Sequence, residues 1–518
     1  MINRSDLFNR FKRQLAVFLS IVFAGFIIHF YLFSNNLMNP DAIWLSDVYY
    51  SGWEVCSGRW GLLLLDRLHY GSTSPILMSL LTISFLALSA ILLCEIFEIR
   101  SKLWYFIVGL LIVCSPFTSN IITYYYCSDA YAISFLMAIF SVYLTRKVQY
   151  AWKYPVCIAL IAYSISIFQS SLGIICALYL LVLLDMAFQG QSAAYTLKYM
   201  RDMVLLCILG LLVYLVVLKL WLSVTGLTML SYKGANQISL ISTLKNLPKT
   251  IPAAYNDFYA FFFSSSSIVK NPISVKICYG VVFSLFLLST LKILFSQKAP
   301  WLWIILLICL LPMACNILNL AAPETTIILR TACGMVVAFP AIFLITIKNL
   351  GEKKCKLSFS AVSRGLCLCA CAVLAWTQII ICNMDSMYMK TNRDVILSCS
   401  QNMFAQLQNR EDVQNGAPVA IIGTPTSWMS DSTLKENVNT YAKDALVWSS
   451  ADGMWNGWFR INQRYIGAKW IRWCDFDTYT SLIATGVTDY MPAYPFTGYI
   501  QNVNGIVICN VGGEKNLQ

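Results

Sequence analysis

The sequence predicts an α-helical polytopic membrane protein with a small α/β domain after its last spanning helix. Hydrophobic residues make up 58% of the 518 residues and charged residues only 12%, about half the charged fraction that is usual in soluble domains. Runs of about 20 apolar residues, long enough to cross a bilayer as helices, recur along most of the chain. They stop near residue 382, and helical and strand-like patterns alternate after that point.

Eleven apolar segments are predicted to span the membrane. Residues 155–187 are too long for one simple span and are interrupted by the polar sequence Gln169-Ser170-Ser171, so we interpret them as two short helices. The eleven segments are residues 15–33, 73–94, 103–122, 129–144, 155–169, 171–187, 203–223, 273–291, 301–321, 327–347 and 365–382.

Short basic clusters between these segments predict the orientation of the chain. With eleven spans, all of the clusters fall on one side, which the positive-inside rule identifies as the cytoplasm. The N-terminus is then cytoplasmic and the C-terminus lies outside. Because the net charge of +12 is distributed over these clusters, it indicates topology, and we expect no nucleic-acid partner.

Three parts of the chain are distinguished: a transmembrane domain (residues 1–382), its first outer loop (34–72) and an extracytoplasmic α/β domain (383–518). A second long outer loop covers about residues 225–272. In the last domain a helix is predicted over residues 393–407 and strands over 417–423, 494–500 and 505–511. The last two strands resemble a hairpin.

The cysteine and histidine patterns argue against a metal or haem site, and we expect none. Most of the 19 cysteines lie in apolar segments, where they act as small hydrophobic residues, and the chain has only two histidines. Cys399, Cys474 and Cys509 lie in the last domain and could pair there. Asp475 and Asp477 resemble the metal-binding D-x-D pattern of nucleotide-sugar transferases, but nucleotide sugars are scarce outside the cell.

Four charged residues follow the first spanning segment. Asp41 and Asp47 lie in "NPDAIWLSD" (39–47), and Glu54 and Arg59 follow among several aromatic residues. These residues either belong to an aromatic belt with solvated carboxylates or form a functional site at the membrane surface.

Further polar residues occur in or beside apolar segments. Arg330 lies early in such a segment, where its fork suits a phosphate, or where it could snorkel to the surface or pair with Glu324. Gln169, Asn316 and Asn319 either bond between helices or contact substrate, and Asp129 could line an acceptor entrance. Eight aromatic residues of the last domain could pack on sugars, form its core or rest on the bilayer: Trp428, Trp448, Trp455, Trp458, Trp470, Trp473, Tyr494 and Tyr499.

A set of short motifs, taken in order and spacing, resembles the Gtr-type membrane glucosyltransferases of bacteria, and through them the GT-C class of lipid-dependent transferases. The motifs are Asn39-Pro40-Asp41, Gly58-Arg59-Trp60-Gly61, Ser115-Pro116, Phe168-Gln169-Ser170 and "MPAYPFTGYI" (491–500).

This resemblance implies an enzyme of the bacterial cytoplasmic (inner) membrane with no cofactor. It would transfer a hexose, most often glucose, with inversion and without a metal. The donor would be a polyprenyl-phosphate-linked sugar and the acceptor a surface polysaccharide such as O-antigen. Asp41 would be the general base, Asp47 or Glu54 would orient the acceptor, and Arg59 and Arg330 would bind the donor phosphate.

Two other functions fit a polytopic chain. A transporter or flippase of lipid-linked sugars usually shows inverted repeats and broken helices at mid-membrane, and neither is evident here. A glycan polymerase or ligase shares the long outer loops, and only the donor would distinguish it, because those enzymes move whole oligosaccharides.

Overall fold

A computed structural model describes residues 4–45, 52–68, 74–230, 240–296, 300–322, 326–351, 359–425, 436–443, 446–447 and 450–512. The chain divides into two compact units. The spanning unit comprises Met1–Phe30 and Val48–Cys382, and the C-terminal unit comprises Tyr31–Asp47 and Asn383–Gln518. Residues 31–47, which include Asp41, therefore belong to the C-terminal unit.

Helices form nearly all of the described chain up to residue 408. In chain order they are α1 (Arg4–Ser34), α2 (Pro40–Leu45), α3 (Gly52–Cys56), α4 (Leu62–Leu68), α5 (Pro75–Ile96), α6 (Lys102–Val113), α7 (Pro116–Ile122), α8 (Ser128–Lys147), α9 (Lys153–Ile167), α10 (Ser171–Phe188), α11 (Ala193–Thr225), α12 (Leu240–Phe263), α13 (Ile273–Ser296), α14 (Trp301–Cys315), α15 (Ile317–Ala321), α16 (Cys333–Leu350) and α17 (Phe359–Gln408).

Within the described residues, eight helices are long and apolar enough to cross a membrane: α1, α5, α8, α10, α11, α13, α16 and α17. The pair α6 and α7, bent by 54°, would make a ninth. The prediction of a polytopic helical membrane protein is confirmed. Two of the predicted spans correspond to the shorter apolar helices α9 and α14, so the number eleven stays a prediction.

The bend between α6 and α7 results from Ser115 and Pro116. Ser115 caps α7, its Oγ accepting from the Phe117 N–H at 3.2 Å, and Pro116 takes the first helical position. Because Phe117 N–H is used in this way, the Val113 carbonyl is left to accept from Nε2 of the buried His29 at 2.7 Å. His29 therefore has a structural role at the bend.

Three helices, α8, α10 and α16, run in the same direction. At their C-terminal ends, the buried Asp185 of α10 accepts from Lys348 of α16 at 3.0 Å and lies 3.5 Å from Arg146 of α8. At the other end of the bundle, the rings of Tyr131 in α8 and Phe168, just before α10, are 4.6 Å apart. The N-terminal ends of α8 and α10 are therefore neighbours.

The C-terminal unit contains a small mixed sheet, as predicted. Its strands are β1 (Val419–Gly423), β2 (Ile500–Val503) and β3 (Ile506–Gly512), and β3 pairs in parallel with β1 and antiparallel with β2. The helices that follow α17 are α18 (Glu411–Gln414), α19 (Thr440–Lys443), α20 (Ala451–Ile461) and α21 (Phe476–Ala484). The core on one face of the sheet is formed by Ala420, Ile422, Cys474, Tyr479, Met491 and Ile508.

Several local predictions were wrong. Residues 494–499 form a loop and not a strand, since Pro495 lacks an N–H and Gly498 has a φ of +92°. The predicted span 365–382 and the predicted helix 393–407 are both helical, but they are continuous in α17 and not separate elements. The prediction of a loop over residues 225–272 was wrong for the part that α12 occupies. Cys399, Cys474 and Cys509 are each buried as free thiols.

Candidate functional site

Arg59 directly follows the turn that ends α3. The Gly58 N–H donates to the Val55 carbonyl at 2.9 Å, and the Arg59 N–H donates to the Glu54 carbonyl at 2.7 Å. This pair of bonds is a Schellman motif, and its left-handed position suits glycine, since Gly58 has a φ of +82°.

The two carbonyls that precede Arg59 accept hydrogen bonds from side chains that are more than 100 positions away along the chain. Nε2 of Gln169, in the break between α9 and α10, donates to the Ser57 carbonyl at 2.9 Å. The hydroxyl of Tyr214, in α11, donates to the Gly58 carbonyl at 3.0 Å. A Cβ on Gly58 would lie 2.5 Å from this hydroxyl, so only glycine allows the contact.

Hydrogen bonds also hold the loop after Arg59, at Gly61. The Gly61 N–H donates to the Ser166 carbonyl at 3.0 Å, and the Tyr163 hydroxyl donates to the Gly61 carbonyl at 3.2 Å. A Cβ on Gly61 would lie 2.2 Å from Ser166 Oγ. Two of the motifs that carry the sequence resemblance, Gly58-Arg59-Trp60-Gly61 and Phe168-Gln169-Ser170, are therefore packed together.

The side chains of this loop differ in exposure. Arg59 is half-buried, and its guanidinium lies over the ring of Trp53, with Cζ 5.7 Å from the ring centroid. Glu54 is only 5% exposed, so its interpretation as a solvated carboxylate was wrong. The turn after α3 packs against α9, the break before α10, and α11, through Tyr163, Gln169 and Tyr214.

Arg330 lies in a 3-10 turn, Leu329–Thr331, and α16 begins only at Cys333. The prediction that Arg330 lies within a spanning helix was therefore wrong: the turn places it before the helix. Its guanidinium donates to the Tyr124 hydroxyl and lies over the same ring, with Cζ 4.7 Å from the centroid. The proposed partner Glu324 lies outside the described residues, as does Asp47.

A chain of aromatic rings connects Arg330 to the break between α9 and α10. The centroids of Tyr124 and Tyr131 are 6.0 Å apart, and Tyr131 contacts Phe168, which precedes Gln169. Because Gln169 bonds to the loop that carries Arg59, one packed network joins the elements that position both arginines.

The N-terminal ends of α8 and α10 carry polar side chains at this network. Asp129 is buried in the first turn of α8, where an acid is favoured by the helix dipole. The Ser128 and Ser171 hydroxyls are buried and make no hydrogen bond within the part of the chain that the structure describes.

Asp41 lies at the start of α2, in the C-terminal unit. Asn39 caps this helix, its Oδ1 accepting from the Ala42 N–H at 2.9 Å, and Pro40 takes the first position. Asp41 is half-buried, and α2 packs against α20. The sequence Asn39-Pro40-Asp41 is therefore a helix start that fixes the backbone of the acid.

A comparison with protein families gives a match to the description "Glucosyl transferase GtrII" over residues 30–345, more than half of the chain. The chain belongs to the GtrII glucosyl transferase family. No curated protein matches it. Membership of the GtrII family confirms the resemblance and identifies a transferase that acts with a sugar donor and an acceptor. Asp41, Arg59, Gln169 and Arg330 all lie within the matched GtrII region.

Other candidate residues of this GtrII chain have structural roles. Asn316 Nδ2 donates to the Ala254 carbonyl at 3.0 Å, an interhelical bond between the α14–α15 junction and α12. Asp475 caps α21, and hydrogen bonds from the N–H and hydroxyl of Thr478 hold its pKa below the usual range. The D-x-D pattern is thus explained by a helix cap.

The aromatic residues of the C-terminal unit divide into core and surface. Trp458 is fully buried and donates to the Gly423 carbonyl at 3.0 Å, whereas Trp470 is 42% exposed. Trp428 and Trp448 lie outside the described residues.

Sequence reasoning missed Tyr163 and Tyr214 as contacts of the GtrII loop. No local signal distinguishes these tyrosines from others in apolar helices, because their partners are 102 and 156 positions away.

Proposed function

We propose that this protein transfers glucose from a polyprenyl-phosphate donor to a cell-surface glycan such as O-antigen. The reaction takes place on the outer side of the bacterial cytoplasmic membrane, in a GT-C-like transferase. It inverts the anomeric centre and uses neither a metal nor a nucleotide sugar, because the phosphate already activates the donor.

The observation that carries this proposal is that two arginines, Arg59 and Arg330, and a helix N-terminus lie at one end of the spanning unit. The N-terminal ends of α8 and α10 are neighbours there. The first turn of α8 already carries the buried Asp129, whereas the first turn of α10 has no acidic residue, so the positive end of its helix dipole favours an anion. Arg330 is linked to these ends through Tyr124, and Arg59 through Gln169. The arginine forks suit phosphate oxygens, and the buried hydroxyls of Ser128 and Ser171 could donate to them.

The charge distribution supports an outer position for this end. The opposite ends of α8 and α16 carry Arg146, Lys147 and Lys348, and an excess of basic residues marks the cytoplasmic side. Reporter fusions after residue 98 and after residue 425 test this orientation. We expect the first to report the cytoplasm and the second the outside, and a cytoplasmic C-terminal unit would contradict the proposed donor geometry.

In the proposed reaction an acceptor hydroxyl oxygen attacks the anomeric carbon as Asp41 takes its proton. The bond from the anomeric carbon to the phosphate oxygen breaks, and its electron pair stays with the leaving polyprenyl phosphate. Arg59 and Arg330 stabilise the charge that develops there. We assign Asp47 to orienting the acceptor and Asp129 to lining the site, whereas Gln169 holds the Arg59 loop.

Composition and linkage analysis of surface polysaccharides, with and without the protein, tests this function. We expect an additional glucose branch only when the protein is present. Unchanged glycans would contradict the proposal, and a change in the length or attachment of whole chains would indicate a polymerase or ligase.

A further inference from the structure

We propose that Tyr214 and Gln169 are positioning residues that fix the direction of the Arg59 side chain. This inference rests on the proposed function of Arg59 as a ligand of the donor phosphate. Neither residue needs to touch the substrate, because each acts through the backbone of the loop.

The peptide group between Gly58 and Arg59 is held at both of its polar atoms. Its carbonyl oxygen accepts from the Tyr214 hydroxyl at 3.0 Å, and its N–H donates to the Glu54 carbonyl at 2.7 Å. A peptide group is planar, so two bonds on opposite edges fix its orientation. The peptide group after Arg59 is held too, because the Arg59 carbonyl accepts from the Leu62 N–H at 3.1 Å. With the peptide groups on both sides of Arg59 held, the direction of its Cα–Cβ bond is restricted.

The preceding peptide group is held as well. The Ser57 carbonyl accepts from Gln169 Nε2 at 2.9 Å, and the Gly58 N–H donates to the Val55 carbonyl at 2.9 Å. The two planes that meet at Gly58 are thus both fixed, although glycine is the residue whose backbone is least restricted. Without the hydrogen bonds from Gln169 and Tyr214, the backbone could rotate at Gly58, and the Arg59 side chain would sample a wider range of directions.

The burial of Tyr214 fits this role. Tyr214 is 6% exposed and lies in the apolar helix α11. Its hydroxyl donates to the Gly58 carbonyl, which is 156 positions away along the chain. A buried hydroxyl needs a partner, since leaving it without one is costly. The tyrosine hydroxyl and the Gly58 carbonyl therefore satisfy each other only when the loop is in this conformation.

The test is a double-mutant cycle read out by binding of farnesyl phosphate to the full-length protein in detergent. The variants are Tyr214→Phe, Gln169→Met and Arg59→Ala, together with the two double variants that contain Arg59→Ala. Tyr255→Phe is the matched control, because that hydroxyl also donates to a backbone carbonyl, of Cys309, at 2.5 Å, away from the loop. Thermal unfolding of each variant is measured in parallel.

We expect Tyr214→Phe and Gln169→Met each to weaken binding by about three- to tenfold, the value of one hydrogen bond, and Tyr255→Phe to leave it unchanged. In the Arg59→Ala background the same substitutions should have no further effect. Equal losses in both backgrounds, or unchanged binding in the single variants, would overturn the positioning role. If Arg59→Ala itself binds as the wild type does, the proposed function of Arg59 fails instead.

Discussion

The guanidinium of Arg330 lies over the ring of Tyr124, with its Cζ 4.7 Å from the ring centroid, and donates to the hydroxyl of the same residue. A planar guanidinium can stack on the ring and still direct other N–H groups elsewhere. An ammonium group has no such plane, so a lysine would keep the charge but lose the orientation.

Arg330→Lys is therefore expected to weaken binding of the lipid donor while the protein still folds and inserts. The donor KM, measured with purified enzyme at limiting and saturating donor, should rise by about tenfold or more, since charge-assisted hydrogen bonds contribute about 1.5–3 kcal/mol each. The control is Arg201→Lys, an exposed arginine paired with Asp202. If the lysine variant has the wild-type donor KM, Arg330 is structural.

Asp185 is expected to stabilise the spanning unit without affecting donor binding. Its side chain is 2% exposed and lies against Arg146 and Lys348. Asp185→Asn removes the charge that both cations face, and breaking a buried pair costs about 3–5 kcal/mol.

Unfolding by sodium dodecyl sulfate measures this loss. The control, Glu98→Gln, removes a carboxylate that is 52% exposed and should cost less than about 1 kcal/mol. Equal losses for the two variants would contradict the distinction between buried and exposed pairs.

Much of the helical architecture could be predicted from the sequence, because long apolar runs have few other solutions in a bilayer. Helix boundaries were less predictable. Arg330 belongs to an apolar run, yet the chain forms a 3-10 turn there and α16 begins at Cys333. Hydropathy measures how apolar a segment is, so it does not show where a helix begins within an apolar run.

The site was predictable in part. The residue types of Asp41, Arg59 and Arg330 indicated candidates, but their surroundings depend on contacts between distant segments. The burial of Glu54 and the bonds from Gln169 and Tyr214 to the Arg59 loop depend on residues more than 100 positions away along the chain. The roles of Trp458 and Trp470 likewise depended on the fold of the C-terminal unit.

Trp458 is expected to be essential for the stability of the C-terminal unit, and Trp470 is not. Trp458→Ala removes a fully buried ring and should cost about 3–5 kcal/mol. Trp470→Ala changes a side chain that is 42% exposed and should stay within about 0.5 kcal/mol. Limited proteolysis of the C-terminal unit compares them, and equal protease resistance would contradict the core assignment of Trp458.

Asp41→Asn is expected to reduce sugar transfer by about 10²- to 10⁴-fold, because the amide cannot accept the acceptor proton. Expression, insertion and donor binding should persist, and Asp47→Asn should have a smaller effect. The control is Asp475→Asn, since asparagine caps a helix as well as aspartate does. Transfer within about threefold of the wild type would remove Asp41 as the base, and an inactive Asp47→Asn variant would give the role to Asp47.

The central claim is that the sugar comes from a polyprenyl phosphate. Transfer from radiolabelled polyprenyl-phosphate glucose to isolated surface polysaccharide, by purified protein in the presence of a chelator, measures it most directly. We expect label in the polysaccharide with this donor and none with a nucleotide-linked glucose. Label from the nucleotide sugar, or no label from the lipid donor under conditions where the protein is folded, would contradict the account.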